Sequence, residues 1–233
     1  SEVMLQQTQT DRVAQKFDLF VQHIPDFKTL AAAPFADVLR LWKGLGYNRR
    51  ALYLQTIAQQ IIADHGGQLP DDPAVLQTLP GIGKATARSI VAFAFNKPTV
   101  FIETNIRSVF IYFFFRNQAA VPDSAIEPLA AATLDQNNPR EWYYALMDYG
   151  VMLKRTIGNI STASAHYAKQ STFVGSDRQI RGMILQQLLE AGPTTEHEIT
   201  ESICSDSRRV EKIVNGLCKD KLIKKINNVL TLT

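Results

Sequence analysis

The sequence predicts a mainly α-helical chain that ends in a small winged helix-turn-helix-like domain, and three observations predict it. Apolar residues recur at helical spacing in successive segments up to about Tyr167. Turns rich in glycine and proline separate those segments at short intervals. Beyond a Ser-, Thr-, Ala- and Gly-rich stretch, three more helical patterns and two short β-like runs fill residues 177–233. The expected organisation is a helical domain over 1–155, a connector over 156–176 and the winged-helix-like domain over 177–233.

Taken in order, Glu2 to Gln7 reads as the end of a helix. Thr8 can cap the next, whose apolar face carries Val13, Phe17, Phe20 and Val21 before Pro25 stops it. Pro34 opens a helix through Trp42, broken by Gly44-Leu45-Gly46-Tyr47. Arg49 and Arg50 begin a long helix closed by Gly66-Gly67. Asp72-Pro73 suits a helix start, with Asp as cap and Pro in the first turn. After the turn at Leu79–Gly83, the next helix carries Ala85, Ala87, Ala92 and Ala94 and is expected to pack closely. Asn105 to Phe115 is strongly aromatic and expected to be buried. Helices around Ser124–Leu134 and Pro139–Lys154 follow, then the connector.

In the C-terminal part, Asp177–Leu189 is amphipathic and ends at Gly192-Pro193. Thr195-Glu196-His197-Glu198 is a capping-box pattern. Ser205-Asp206 starts a third helix with Val210, Ile213, Val214 and Leu217. Asn227-Asn228 is a hairpin turn between the β-like runs. Arg208, Arg209, Lys212, Lys219, Lys221, Lys224 and Lys225 gather on the third helix and hairpin, as expected of a helix that enters a DNA groove with a wing on the backbone. The same charges also fit a solvated basic face on a protein-interaction module.

Composition narrows the classes. An apolar fraction of 45% is ordinary for a chain that buries a core. The net charge of +3 permits a nucleic-acid partner without demanding one. No apolar run approaches the roughly 18 residues of a membrane span. The two cysteines, Cys204 and Cys218, read as reduced core thiols and point to a reducing intracellular compartment. Ser1 lies inside a helical pattern, so further residues are expected upstream.

The stretch Leu79–Ile106 holds the densest chemistry. A tight glycine turn, Leu79-Pro80-Gly81-Ile82-Gly83, brings backbone N–H groups to a helix N-terminus, where unpaired amides and the helix dipole favour an anion. Lys84 adds a cation, and Glu103 supplies a carboxylate beyond a short apolar run. On spacing alone a plain helical hairpin with a surface glutamate fits equally well.

Ser1-Glu2-Val3-Met4-Leu5-Gln6-Gln7-Thr8-Gln9-Thr10 resembles the signature of MutY-type adenine DNA glycosylases. Leu41-Trp42-Lys43-Gly44-Leu45-Gly46-Tyr47 resembles their second signature. Leu79–Gly83 resembles the helix-hairpin-helix turn of the wider endonuclease III superfamily, and Met147-Asp148-Tyr149-Gly150 the segment before that family's iron–sulfur loop. The resemblance runs from Ser1 to Lys154. It implies a two-lobed helix-hairpin-helix DNA glycosylase fold that takes double-stranded DNA in the cleft between its lobes. A mismatched or damaged nucleotide would be flipped into a pocket.

It implies site residues as well. Glu2 would protonate the leaving adenine, since an adenine anion leaves poorly. Gln6 and Gln7 would contact base edges, and Tyr47 would wedge beside the opposite base. Leu79, Gly81, Gly83 and Lys84 would grip phosphate. The carbonyls of Leu79 and Ile82 would hold a monovalent cation. Glu103, with Asn105 two residues on, would stabilise the sugar cation.

Several residues depart from the family pattern. Glu103 stands where the superfamily has aspartate, which carries the carboxylate about 1.5 Å further out. A misplacement of that order can cost about 100-fold in rate. Ala85 stands where bifunctional relatives carry the lyase lysine, so a monofunctional enzyme is expected. Lys154 stands where the first cluster cysteine would be. No [4Fe–4S] cluster is therefore expected, and packing must hold the connector. The family's 8-oxoguanine-reading domain is not apparent; the winged-helix-like segment stands in its place.

The resulting expectation is an adenine glycosylase acting opposite guanine or 8-oxoguanine, monomeric, cytoplasmic and nucleoid-associated in a bacterium. A divergent glycosylase for T or U opposite G, and a catalytically altered DNA-binding protein, are the alternatives.

Overall fold

A computed structural model describes residues 1–203 and 206–233. The expected core thiol Cys204 and the helix-opening Ser205 lie outside the described residues. The chain forms two compact units. One holds Ser1, Val3–Leu69 and Ser171–Thr233; the other holds Glu2 and Pro70–Gln170.

The N-terminal part of the first unit runs through α1 (Glu2–Leu5), α2 (Thr10–His23), α3 (Phe27–Ala32), α4 (Phe35–Trp42) and α5 (Arg49–His65). Apolar spacing sets which faces turn inward. Val13 and Phe20 of α2 are buried, as are Val38, Leu39 and Trp42 of α4, while Val21 is exposed. The six-residue α3 is too short for periodicity to reveal. Asp26 caps it, accepting the Thr29 N–H at 2.7 Å. Thr8 is not the cap of α2; Gln9 is. The Thr8 hydroxyl instead accepts from Arg50 at 2.9 Å and lies 3.3 Å from the Leu45 carbonyl.

Arg50 explains that difference. Its side chain is buried, and its two terminal nitrogens donate to the carbonyls of Val3, Met4, Gln6, Leu45 and Gly46 as well as to Thr8. Burial pulls the guanidinium down to about 10, which leaves it cationic at neutral pH. One fork thus ties the non-helical chain after α1 to the glycine loop before α5.

The second unit contains α6 (Pro73–Leu76), α7 (Lys84–Phe95), α8 (Thr104–Phe114), α9 (Asp123–Thr133), α10 (Pro139–Thr156) and a 3₁₀ turn at Ile160–Ala163. Asp72 caps α6 through the Ala74 N–H, with Pro73 in the first turn. The core gathers Ala92, Phe101, Ile106, Phe110, Ile111, Val121, Ile126, Ala130, Leu134 and Tyr143. Two expectations need correction. Of the four alanines of α7, Ala87 and Ala92 are buried, whereas Ala85 and Ala94, in the first and last turns, are exposed. In α8 the aromatic run is longer than the face that packs. Phe110 is buried, but Phe113 and Phe114 turn outward, and Phe113 stacks on Tyr149 with ring centroids 5.7 Å apart.

Helices α8 and α10 approach closely at Gly150, where a Cβ would sit 2.5 Å from the Asn105 carbonyl oxygen. Beyond α10 the chain is held by hydrogen bonds and packing. Val121 donates to the Ala163 carbonyl and accepts from the Ala165 N–H, both at 2.9 Å, while Ile160 and Ala163 pack on the core.

The C-terminal part of the first unit contains α11 (Asp177–Ala191), β1 (Thr194–Thr195), α12 (Glu196–Ile203), α13 (Ser207–Lys219), β2 (Ile223–Ile226) and β3 (Val229–Leu232). The strands form an antiparallel sheet in the order β1-β3-β2. Asn227 and Asn228 both adopt positive φ, which a two-residue hairpin of this kind requires. The two-residue β1 was not expected. The capping box forms: the Thr195 N–H meets Glu198 at 2.7 Å and the Glu198 N–H meets the Thr195 hydroxyl at 3.3 Å. On α13, Val210, Ile213, Val214 and Leu217 are buried, as their spacing requires. Cys218 is partly buried, and burial pushes its thiol up. No helix among the described residues is long and apolar enough to cross a membrane.

Two stability predictions follow from these contacts. Arg50→Lys keeps the charge but loses the fork, and should cost about 2–3 kcal/mol. An unchanged urea-denaturation midpoint would count against the role given to Arg50. Gly150→Ala should cost about 1–3 kcal/mol, because the added methyl meets backbone rather than a flexible side chain. Thermal melting of that variant checks it.

Candidate active site

The second unit contains the hairpin, Glu103, Asn105 and Glu2. At the hairpin, Gly81 takes φ +76° and the Ile82 N–H closes on the Leu79 carbonyl at 3.2 Å. The side chains of Leu79 and Ile82 are buried, so their backbone forms a rigid turn. Gly83 caps α7 with extended backbone, and a Cβ there would meet nothing within 4 Å. Packing inside the protein therefore does not require glycine at position 83. A glycine at this position leaves the N-terminus of α7 without a side-chain cap. Lys84 is exposed and pairs with Glu127 at 3.2 Å, and Glu127 also takes Arg88 at 2.9 Å. Those two cations hold the Glu127 carboxyl below its usual range.

Residues 99–103 reach Glu103 as non-helical chain, so something must fix them. The Tyr143 hydroxyl donates to the Thr99 carbonyl at 2.6 Å and accepts the Phe101 N–H at 3.2 Å. Its ring stacks on Phe101 with centroids 4.0 Å apart. Burial pushes the Tyr143 hydroxyl up to about 12, so it remains a neutral donor. From α7, Arg88 donates to the Val100 carbonyl at 2.7 Å, and its own carbonyl accepts the Thr99 hydroxyl at 2.8 Å. Sequence reasoning missed both Arg88 and Tyr143, because neither sits in a recognisable motif.

Glu103 is the N-cap of α8. One carboxylate oxygen accepts the Ile106 N–H at 2.7 Å; the other lies 3.4 Å from the Asn105 amide. N-caps are normally the shorter Ser, Thr, Asp or Asn. The additional methylene is absorbed as the side chain curls back onto its own helix. The residue keeps some exposed surface, but crowding desolvates the carboxyl and raises its pKa despite the amides and Arg107 that oppose the shift. Arg107 is itself held by Asp123 through contacts of 2.6 and 2.9 Å. The Gly150 contact with the Asn105 backbone fixes the first turn of α8 from the other side.

Glu2 belongs by its contacts to this unit. Its carboxylate accepts the hydroxyl of Ser89, on α7, at 2.8 Å. Sequence reasoning did not single out Ser89, since a serine within an apolar helix gives no local signal.

The remaining candidates lie in the first unit. The Gln6 carbonyl is held by Arg50, and Gln7 is exposed with φ +54°. Tyr47 is exposed, with positive φ. Its ring lies 5.3 Å from the Arg50 guanidinium, and its hydroxyl accepts from Arg178 of α11 at 3.2 Å. On α13, Arg208 and Lys212 are exposed. Arg209 is drawn to Asp177 at 2.7 Å and to the Gly175 carbonyl, and Lys225 pairs with Glu196. Internal carboxylates thus engage two of the seven expected basic contacts.

Two cysteines and a lysine at 154 cannot supply the four thiolates of an iron–sulfur cluster. The carbonyls of Leu79 and Ile82 are oxygen donors of the type a monovalent cation accepts, and each carbonyl has a second lone pair beyond any hydrogen bond it takes.

Residues 1–130 match the family described as HhH-GPD superfamily base excision DNA repair protein. The adenine DNA glycosylase of Mycobacterium tuberculosis (strain CDC 1551 / Oshkosh) is 33% identical over 244 residues, covering 96% of this chain and 80% of that protein. Among solved structures, a thermostable thymine-DNA glycosylase aligns with TM-score 0.56 at 24% identity, over 65% of this chain and 71% of its own. Endonuclease III in a non-covalent complex with DNA aligns with TM-score 0.52 at 21% identity, over 82% of this chain and 80% of its own. The chain belongs to the HhH-GPD superfamily of base excision DNA repair proteins, on its adenine DNA glycosylase branch.

Proposed function

We propose that this DNA glycosylase releases adenine mispaired with guanine or 8-oxoguanine, and that it is monofunctional. The observation that carries the reading is that two carboxylates, Glu2 and Glu103, lie in the unit that bears the glycine hairpin. Glu2 delivers a proton to the adenine ring, so the base departs neutral rather than as an anion. As the glycosidic bond stretches, positive charge grows on the sugar, and the ionised Glu103 stabilises it with Asn105 alongside. Water completes the hydrolysis at the sugar carbon. Ala85 offers no amine, and no covalent sugar–enzyme adduct forms.

The glycine hairpin holds a backbone phosphate through the amides at the N-terminus of α7. Lys84 can exchange its Glu127 partner for it, because that ion pair is exposed and weak. Leu79 and Ile82 would hold a monovalent cation through their carbonyls, adding positive charge beside the phosphate. Gln6, Gln7 and Tyr47 contact the mismatch, and Arg208, Arg209 and Lys212 contact flanking duplex.

Single-turnover excision on duplexes carrying A·8-oxoguanine, A·G, T·G and U·G tests the assignment. Adenine release that disappears in Glu2→Gln is the expected result. Release of T or U instead, or tight binding without release, overturns it. Borohydride should trap no enzyme–DNA adduct, and trapping dependent on Lys84 would overturn the monofunctional assignment.

The raised Glu103 carboxyl gives a second test. Its folded-state pKa lies above the unfolded value, so burying the ionised form costs stability at neutral and higher pH. That cost disappears as the pH falls through the raised value. Glu103→Gln keeps an oxygen for the Ile106 N–H and removes the charge. It should therefore melt higher than wild type at pH 8, by a margin that shrinks toward pH 5, while excision falls sharply. A variant that melts lower at pH 8 would show that the ionised carboxylate is net stabilising.

A further inference from the structure

We propose that Ser89 is a positioning residue for the acid Glu2, and that its hydroxyl holds the Glu2 carboxyl both before and after proton transfer. The proposal rests on the reading of Glu2 as the proton donor. Ser89 is 7% exposed, so solvent does little to satisfy its hydroxyl. That hydroxyl has one proton and two acceptors within reach: the Glu2 carboxylate at 2.8 Å, and the Thr86 carbonyl one turn back at 3.0 Å.

A single proton serves one acceptor at a time. Against ionised Glu2, the charged oxygen is the stronger acceptor and takes it. When Glu2 carries the proton, the direction reverses. The carboxylic O–H donates to the Ser89 oxygen, and the Ser89 proton turns to the Thr86 carbonyl, where a helical serine has a ready acceptor. Both states are satisfied by rotating one hydroxyl, with no displacement of heavy atoms. A fixed cation at this place would hold only the ionised state; an alanine would hold neither.

The location reinforces the argument. Ser89 follows Lys84 by five residues along α7, or about 7.5 Å of helix rise. The neighbouring Arg88 anchors the chain that leads to Glu103. The helix that opens at the hairpin therefore holds Glu2 through Ser89 and, one residue earlier, the chain that approaches Glu103.

The test compares wild type, Ser89→Ala and Ser89→Thr in single-turnover release of adenine opposite 8-oxoguanine, with duplex Kd and Tm measured alongside. Ser89→Ala should release adenine about tenfold more slowly, the loss expected for one hydrogen bond to a charged group. Its Kd and Tm should match wild type, and Ser89→Thr should recover most of the rate. Unchanged release in Ser89→Ala overturns the proposal. So does a rate loss accompanied by a comparable fall in Tm or rise in Kd, which marks a structural role. A Ser89→Thr variant with wild-type Tm that remains as slow as Ser89→Ala overturns it too. If wild type itself releases no base, the assignment of Glu2 fails and the positioning role with it; that outcome is separable from wild-type release that ignores Ser89.

Discussion

A polar group taken out of water must find partners within the fold, and in this protein that constraint is what positions the chemistry. The buried Arg50 meets it with backbone carbonyls of the Ser1–Thr10 segment and of the glycine loop. Carbonyls that no helix satisfies would otherwise be stranded. In the second unit Tyr143 and Arg88 do the same for the chain before Glu103. In both places a neighbour's donors hold carbonyls that no helix satisfies, so the chain's conformation there is not set by its own propensity alone.

The same logic accounts for the unusual acid at position 103. A carboxylate one methylene longer than the family's aspartate does not simply extend further into the site. It folds back to cap α8, and one of its oxygens is bound to the Ile106 amide. The other lies toward Asn105. A carboxylate has about four lone-pair positions, so capping leaves it able to face a developing positive charge. Desolvation raises its pKa, so holding it ionised costs stability.

Glu2 and Glu103 come from sequence positions about a hundred residues apart, yet adjacent residues of α7 support both. Ser89 holds one, and Arg88 fixes the approach to the other. Close packing at Gly150 secures the first turn of α8 against α10. The connector that follows α10 is held by the Val121 hydrogen bonds and the packing of Ile160 and Ala163.

Much of the helical framework was legible in the sequence, because local signals carry it. Period-3.6 apolar faces located α2, α4, α5, α11 and α13. Asp72-Pro73 and the Thr195–Glu198 box marked helix starts, and Asn227-Asn228 marked the hairpin. The glycine turn at Leu79–Gly83 and the acids Glu2 and Glu103 stood out by residue type and by resemblance. Tertiary structure decided what depends on partners distant in the chain. Whether Thr8 caps α2 or serves Arg50 is a competition for one hydroxyl. Whether Phe113 is buried depends on how wide a face α10 covers. The partners Ser89, Arg88, Tyr143 and Gly150 are ordinary residues in helical patterns. Their roles arise only when the fold brings a carboxylate, a carbonyl or a backbone within about 3 Å, the range in which hydrogen bonds and steric limits act.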